Sequence, residues 1–193
     1  AFSSNREGSL DVFLIAREGG APVRLTTDSG NETPLTFTDN THVLFESSGM
    51  PSPQNIIFPN GSFTQVYQVE TTAGSRPRLF SEISMPGLSI NKEGAVLYHD
   101  VKGYEDVWRK HHTSPICRDV WLKRDGKFTK MTHFNGEDRN PVWGPGDTYY
   151  YLSEEDGTFN VFKNNLSGTA KQQLTHFKGN PVRFLTRSDD GVL

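Results

Sequence analysis

Four times along the chain a polar residue is followed by a valine and an aromatic ring: Asp11-Val12-Phe13, Gln65-Val66-Tyr67, Asp119-Val120-Trp121 and Asn160-Val161-Phe162. The valines stand 54, 54 and 41 residues apart. Repetition on this scale dictates architecture, because each copy must be one supersecondary unit that buries its faces against its neighbours. A second mark follows each pair: Leu25, Leu79, Met131 and Leu174 lie 12, 12, 10 and 12 residues beyond the aromatic ring. They sit in Arg24-Leu25-Thr26, Arg78-Leu79-Phe80, Lys130-Met131-Thr132 and Gln173-Leu174-Thr175. Between pair and mark lies turn chemistry, Gly19-Gly20, Thr72-Ala73-Gly74, Asp125-Gly126 or Ser167-Gly168. Pair and mark therefore read as the two arms of a hairpin.

The third mark is proline. Pro34, Pro86, Pro141 and Pro181 stand 22, 20, 21 and 20 residues after the valines. Apolar residues follow each: Leu35 and Phe37, Leu88 and Ile90, Val142 and Trp143, Val182 and Phe184. A tight turn comes next, Asp39-Asn40, Asn91 to Gly94 or Gly144 to Asp147, and then a further strand such as Val43-Leu44-Phe45 or Tyr149-Tyr150-Tyr151-Leu152. One repeat is thus four short antiparallel strands in about 40 to 45 residues, the blade of a β-propeller. A sandwich of unrelated hairpins does not require three marks to keep their offsets over four copies.

The expected fold is all-β, with four-stranded antiparallel blades forming a partial ring of a larger propeller. With strands lettered a to d from the centre outward, a blade remnant occupies residues 1–30. Blades follow at about 34–81, 86–133 and 141–175, and an incomplete blade at 181–193. The first residues, Ala1 to Arg6, read as the end of a strand and a turn, so both chain ends are expected to fall within a blade. Helix is scarcely supported; the best candidate, Tyr104 to His112, lacks a sustained 3.6-residue apolar stripe and reads as loop.

Charge narrows the function. With 20 basic and 23 acidic residues the net charge is −3, which offers no nucleic-acid footprint. No apolar run approaches the about 18 residues of a membrane-spanning helix, and no signal peptide is recognisable. The single cysteine, Cys117, permits no intrachain disulfide.

Several stretches carry a family resemblance: Ala1 to Gly8, Lys102-Gly103-Tyr104-Glu105-Asp106 with Trp108 to His112, Asn135 to Trp143, and Tyr151 to Asn160. Across essentially its whole length the chain resembles the N-terminal propeller of the bacterial tricorn-like serine proteases, whose blades are TolB-like or PD40 WD40-type repeats. The blade pattern is generic to TolB-like propellers, and the Tyr104 to His112 insertion points to the tricorn-like group. The resemblance implies a longer parent, with a PDZ domain and a peptidase core after a propeller that admits or binds peptides. It implies the periplasm as compartment, with the cytoplasm as alternative, and the remaining peptidase domains as partners. A stand-alone TolB-like scaffold for another protein is the alternative function.

No catalytic residue carries over, because no part of the chain matches a peptidase core. The nearest approach to a nucleophile elbow, Gly87-Leu88-Ser89-Ile90-Asn91, lacks the final glycine and lies on an expected innermost strand. Gly144-Pro145-Gly146 lacks the third glycine of a dinucleotide fingerprint and reads as a turn. His111-His112, with His99 and Asp100, raises a metal, but adjacent histidines usually point apart. Neither a metal nor a cofactor is expected.

The informative irregularities are two long b–c connections, Ser48 to Thr64 and Asp100 to Arg118. In a propeller these emerge on the same face as the d–a segments, here Asn31-Glu32 and Asn135 to Asn140. Extra loops with aromatic and cationic residues on one face are where binding usually lies. Arg109 and Lys110 suit a peptide carboxylate, Tyr104 and Trp108 suit its side chains, and His111 and His112 adjoin them. The competing expectation is that the insertions pack against a neighbouring blade or domain, which apolar Ile56, Ile57 and Phe58 favour.

Overall fold

In the computed structural model the described residues are 1–48, 64–103, 113–188 and 191. They contain fifteen β-strands and no helix. The chain divides into two compact units, Ala1–Ser84 and Met85–Leu193.

In the first unit β1 (Phe2–Glu7), β2 (Ser9–Leu14) and β3 (Val23–Arg24) form a three-stranded sheet. β4 (Glu32–Asp39), β5 (His42–Ser47), β6 (Gln65–Glu70) and β7 (Arg78–Ser81) form a four-stranded one. In the second unit β8 (Ser89–Ile90), β9 (Val96–His99), β10 (Val120–Arg124) and β11 (Lys127–Lys130) make one sheet. β12 (Asp138–Trp143), β13 (Thr148–Ser153), β14 (Asn160–Asn165) and β15 (Gln172–Gln173) make the next. Every sheet pairs its strands antiparallel in chain order, the meander of a propeller blade. β1 leads into a turn closed by the Gly8 N–H, which donates to the Asn5 carbonyl at 3.1 Å, where the ladder to β2 shifts register between Ser4 and Glu7. After β15 no strand occurs among the described residues.

The Val-aromatic pair lies on β2, β6, β10 and β14. Successive strand residues face opposite sides of a sheet, so the pair supplies one apolar group to each face. Val12, Val66 and Val120 are fully buried. The second mark is fixed by the same hydrogen bond in three sheets: the N–H of Leu25, Met131 and Leu174 donates to the carbonyl of Val12, Val120 and Val161, each at 2.8 Å. The residue before the valine is polar for a reason that lies across the hairpin. Asp11 pairs with Arg24 at 2.7 Å and Asp119 with Lys130 at 2.8 Å, each buried carboxylate meeting the cation beside the second mark. Asp125 and Gly126 both take positive φ, 50° and 73°, as a two-residue β10–β11 turn of the primed kind needs.

Proline finds its place at sheet edges. Pro34 on β4 and Pro141 on β12 both sit where the ladder to the next strand shifts register, between Pro34 and Thr36 and between Arg139 and Val142. A residue without an N–H is tolerated on an edge strand at such a bulge.

Each unit has a core between its own two sheets. In the first, Val12 and Leu25 pack with Val43, Phe45, Tyr67 and Val69. In the second, Leu97, Val120 and Met131 pack with Trp143, Tyr149, Tyr151 and Phe162. Leu97→Ala, at a fully buried site, is expected to destabilise the chain by about 2–5 kcal/mol. Phe128→Ala, at an exposed site on β11, is expected to stay within about 0.5 kcal/mol. Urea unfolding of the two variants checks both.

Candidate functional site

Successive sheets within each unit are joined by a buried acid. The N–H of Val12, Val120 and Val161 donates to a threonine hydroxyl, Thr26 at 2.8 Å, Thr132 at 3.0 Å and Thr175 at 2.9 Å. The Thr26 hydroxyl donates in turn to Glu32 at 3.2 Å, and Ser47 donates to the other Glu32 oxygen at 3.3 Å. Asp138 stands in the same relation to Thr132 and Ser153, from which it accepts hydrogen bonds. Glu32 and Asp138 open β4 and β12, and pair in the ladder with Ser47 and Ser153. One carboxyl thus ties the end of one sheet to the first two strands of the next. In the last sheet Thr175 donates to Asn160 instead, at 2.9 Å.

Burial pushes both acids up to about 7. At Glu32 the neighbouring negative charges of Asp11 and Asp28 add to it, against the hydroxyls of Thr26 and Ser47. At Asp138 the hydroxyls of Ser153 and Thr132 oppose the rise.

The sheet β8–β11 solves the same position differently. His99 ends β9 where Ser47 ends β5 and Ser153 ends β13. Burial, and then the positive charges of Arg118 and Arg139, press its pKa down to about 3, so the ring stays neutral. Its Nδ1 accepts the Asn140 N–H at 3.2 Å, which leaves the proton on Nε2. Gly87, at φ 62°, lies against the ring, and a Cβ there would come within 2.8 Å of Nδ1.

The connection between β9 and β10 has a rigid stem. The Asp100 N–H donates to the Asp119 carbonyl at 3.1 Å. The Asp100 carboxylate accepts from the Asp119 N–H at 2.8 Å and from Trp121 Nε1 at 2.9 Å. Lys102 donates to the Cys117 carbonyl at 2.5 Å and pairs with Asp119, and its ammonium stands 3.4 Å from Asp100. Arg118, at the foot of the stem, pairs with Glu137 at 2.5 Å, and its carbonyl accepts the Asp138 N–H at 3.0 Å. The Arg139 guanidinium lies 4.1 Å over the Phe159 ring.

The sequence candidates Tyr104, Trp108, Arg109, Lys110, His111 and His112 lie outside the described residues, as does the apolar part of the first insertion. Of the flanking d–a residues, Asn31 and Asn135 are exposed, while Glu32, Glu137, Asp138 and Arg139 are buried. Sequence reasoning placed Glu32, Glu137, Asp138 and Arg139 on the loop face and His99 beside a possible metal pair, and missed that they are buried, although Thr26, Thr132 and Thr175, each directly after the second mark, were the available signal. Among the described residues no group of three or more His, Cys, Asp or Glu is placed to hold a metal ion.

A family profile described as the tricorn protease N-terminal beta propeller domain matches residues 1–193. No curated protein sequence matches the chain. Among solved structures, TolB from Acinetobacter baumannii is 14% identical at a TM-score of 0.63, over 94% of this chain and 41% of that one. A puromycin-hydrolyzing peptidase from Mycobacterium tuberculosis is 14% identical at a TM-score of 0.62, over 94% and 31%. Putative TolB from Agrobacterium tumefaciens is 17% identical at a TM-score of 0.56, over 91% and 57%. The chain therefore spans less than two thirds of each of these proteins, and at such identities they share its fold.

Two outcomes follow from the buried groups. A carboxyl whose pKa rises from 4.5 to about 7 on folding favours the fold while it is protonated, and that favour is lost as pH rises through about 7. The stability of the wild type minus that of Glu32→Gln is expected to be larger at pH 5 than at pH 8, as read from urea unfolding at the two pH values; a difference independent of pH contradicts it. Gly87→Ala, which meets both the His99 ring and a positive φ, is expected to cost more than the about 1–3 kcal/mol of strain alone. Gly94→Ala, at φ 80° with nothing within 4 Å of the added Cβ, supplies the strain-only reference in the same measurement.

Proposed function

Since the chain belongs to the family of tricorn protease N-terminal β-propeller domains, we propose that it is the non-catalytic propeller module of a tricorn-like peptidase and binds or gates peptide substrates. Its partners in this reading are peptides and the remaining domains of the peptidase, and its compartment is the periplasm. The observation that supports it most is the stem of the β9–β10 connection. Asp100, Lys102 and Asp119 lock the two ends of that insertion together by main-chain and ionic contacts. Function is disproportionately carried by loops held on such a rigid base. The insertion is also where the sequence concentrates its rings and cations: Tyr104 and Trp108 as packing surfaces, Arg109 and Lys110 as carboxylate partners, and His111 and His112 beside them.

The test is binding of fluorescently labelled peptides by the 193-residue chain. Arg109→Ala combined with Lys110→Ala is expected to weaken binding about tenfold while leaving the melting temperature nearly unchanged. Loss of stability without loss of binding assigns the insertion to packing. Absence of peptide binding by the wild type sinks the reading.

A further inference from the structure

A cleft of about 510 Å³ opens in the second unit between the end of β11 and the β13–β15 side of the next sheet. That volume lies within the usual range of small-ligand sites, about 300–1,000 Å³. Thr132 and Asp138 line it, Tyr151 and Phe134 supply aromatic walls, and Glu155 and Lys171 complete the charged lining. Ser167, exposed on the β14–β15 turn, also borders it.

The charges in this cleft are unevenly matched. Lys130 is held by Asp119 at 2.8 Å, and Lys171 is paired with Glu155. Asp138 has no ion-pair partner among the described residues, although it is only 1% exposed. Its Oδ1 has no hydrogen-bond partner, so the hydroxyls of Thr132 and Ser153 fall to the other oxygen. A buried carboxyl with one bare oxygen keeps its proton, as burial favours here, until a donor or a cation reaches it. The neighbouring rings favour a donor that is also a cation.

We propose that this cleft binds a primary ammonium group on an apolar tail, with Asp138 as its counter-ion and Tyr151 and Phe134 against the tail. None of the lining residues belongs to the β9–β10 insertion, and the proposal does not rest on the peptidase reading. Lysine side chains and free peptide N-termini carry the same group, and two probes tell them apart. Nα-acetyl-lysine amide bears only the side-chain ammonium and leucine amide only the α-ammonium. Nα-acetyl-norleucine amide supplies the tail without the charge.

Each is titrated into the ¹⁵N-labelled chain and followed by amide shifts of residues 129–134 and 164–171. At least one ammonium probe is expected to saturate these shifts while norleucine amide leaves them unmoved. Which of the two binds identifies the source of the group. Asp138→Asn, whose amide oxygen still accepts from both hydroxyls, is expected to weaken binding about tenfold or more. Should that variant fail to fold, Ser167→Trp, which fills the mouth from an exposed position, is expected to abolish the shifts with the fold retained. No saturable shift with either amine, equal shifts with norleucine amide, or full binding by a folded Asp138→Asn or Ser167→Trp chain overturns the proposal.

Discussion

Within each unit one sheet donates a buried hydrogen bond to the next. The valine N–H on β2 and on β10 donates to a threonine hydroxyl, and that hydroxyl donates onward to an acid that opens the next sheet. The threonine is consumed on both sides, so the buried amide is satisfied and one oxygen of the acid is occupied. The apolar packing of Val12 or Val120 supplies most of the driving force. It is non-directional, however, and a flat valine–leucine face could slide. The hydroxyl–carboxyl contact fixes the register at which one sheet meets the next within its unit.

The same relation explains why the polar residue before each valine is never incidental. Asp11 and Asp119 face Arg24 and Lys130 across the hairpin, while the valine beside them engages the threonine. A three-residue sequence unit thus addresses two layers: charge to the outer strand, amide to the joint. His99 shows that the position tolerates other chemistry when the surroundings change with it. A ring replaces the serine, Gly87 makes room for it, and burial, followed by the charges of two arginines, keeps it neutral.

The four-stranded repeat was legible because strand period, turn residues and proline recur at fixed offsets and act locally. Pro34 and Pro141 even marked the bulges, since a missing N–H allows few other positions. What escaped was long-range and polar. Nothing local says that Glu32 or Asp138 is buried; both stand in runs of polar residues that read as loop, and their burial depends on a hydroxyl from the preceding sheet. His99 and Asp100 read as neighbours of a possible metal pair. The fold instead sends His99 into the interior toward Asn140 and Asp100 to the stem of the insertion, where it accepts from Trp121. The binding residues assigned to the insertion rest on composition, which names suitable chemistry and leaves its geometry open.

The joint has an orientation along the chain. The stretch from Asp138 to Thr175 begins at its acid and carries its threonine at the far end. Such a unit behaves like a coupling with a plug at one end and a socket at the other. Separating Thr26 from Glu32, or Thr132 from Asp138, orphans one acid and one hydroxyl.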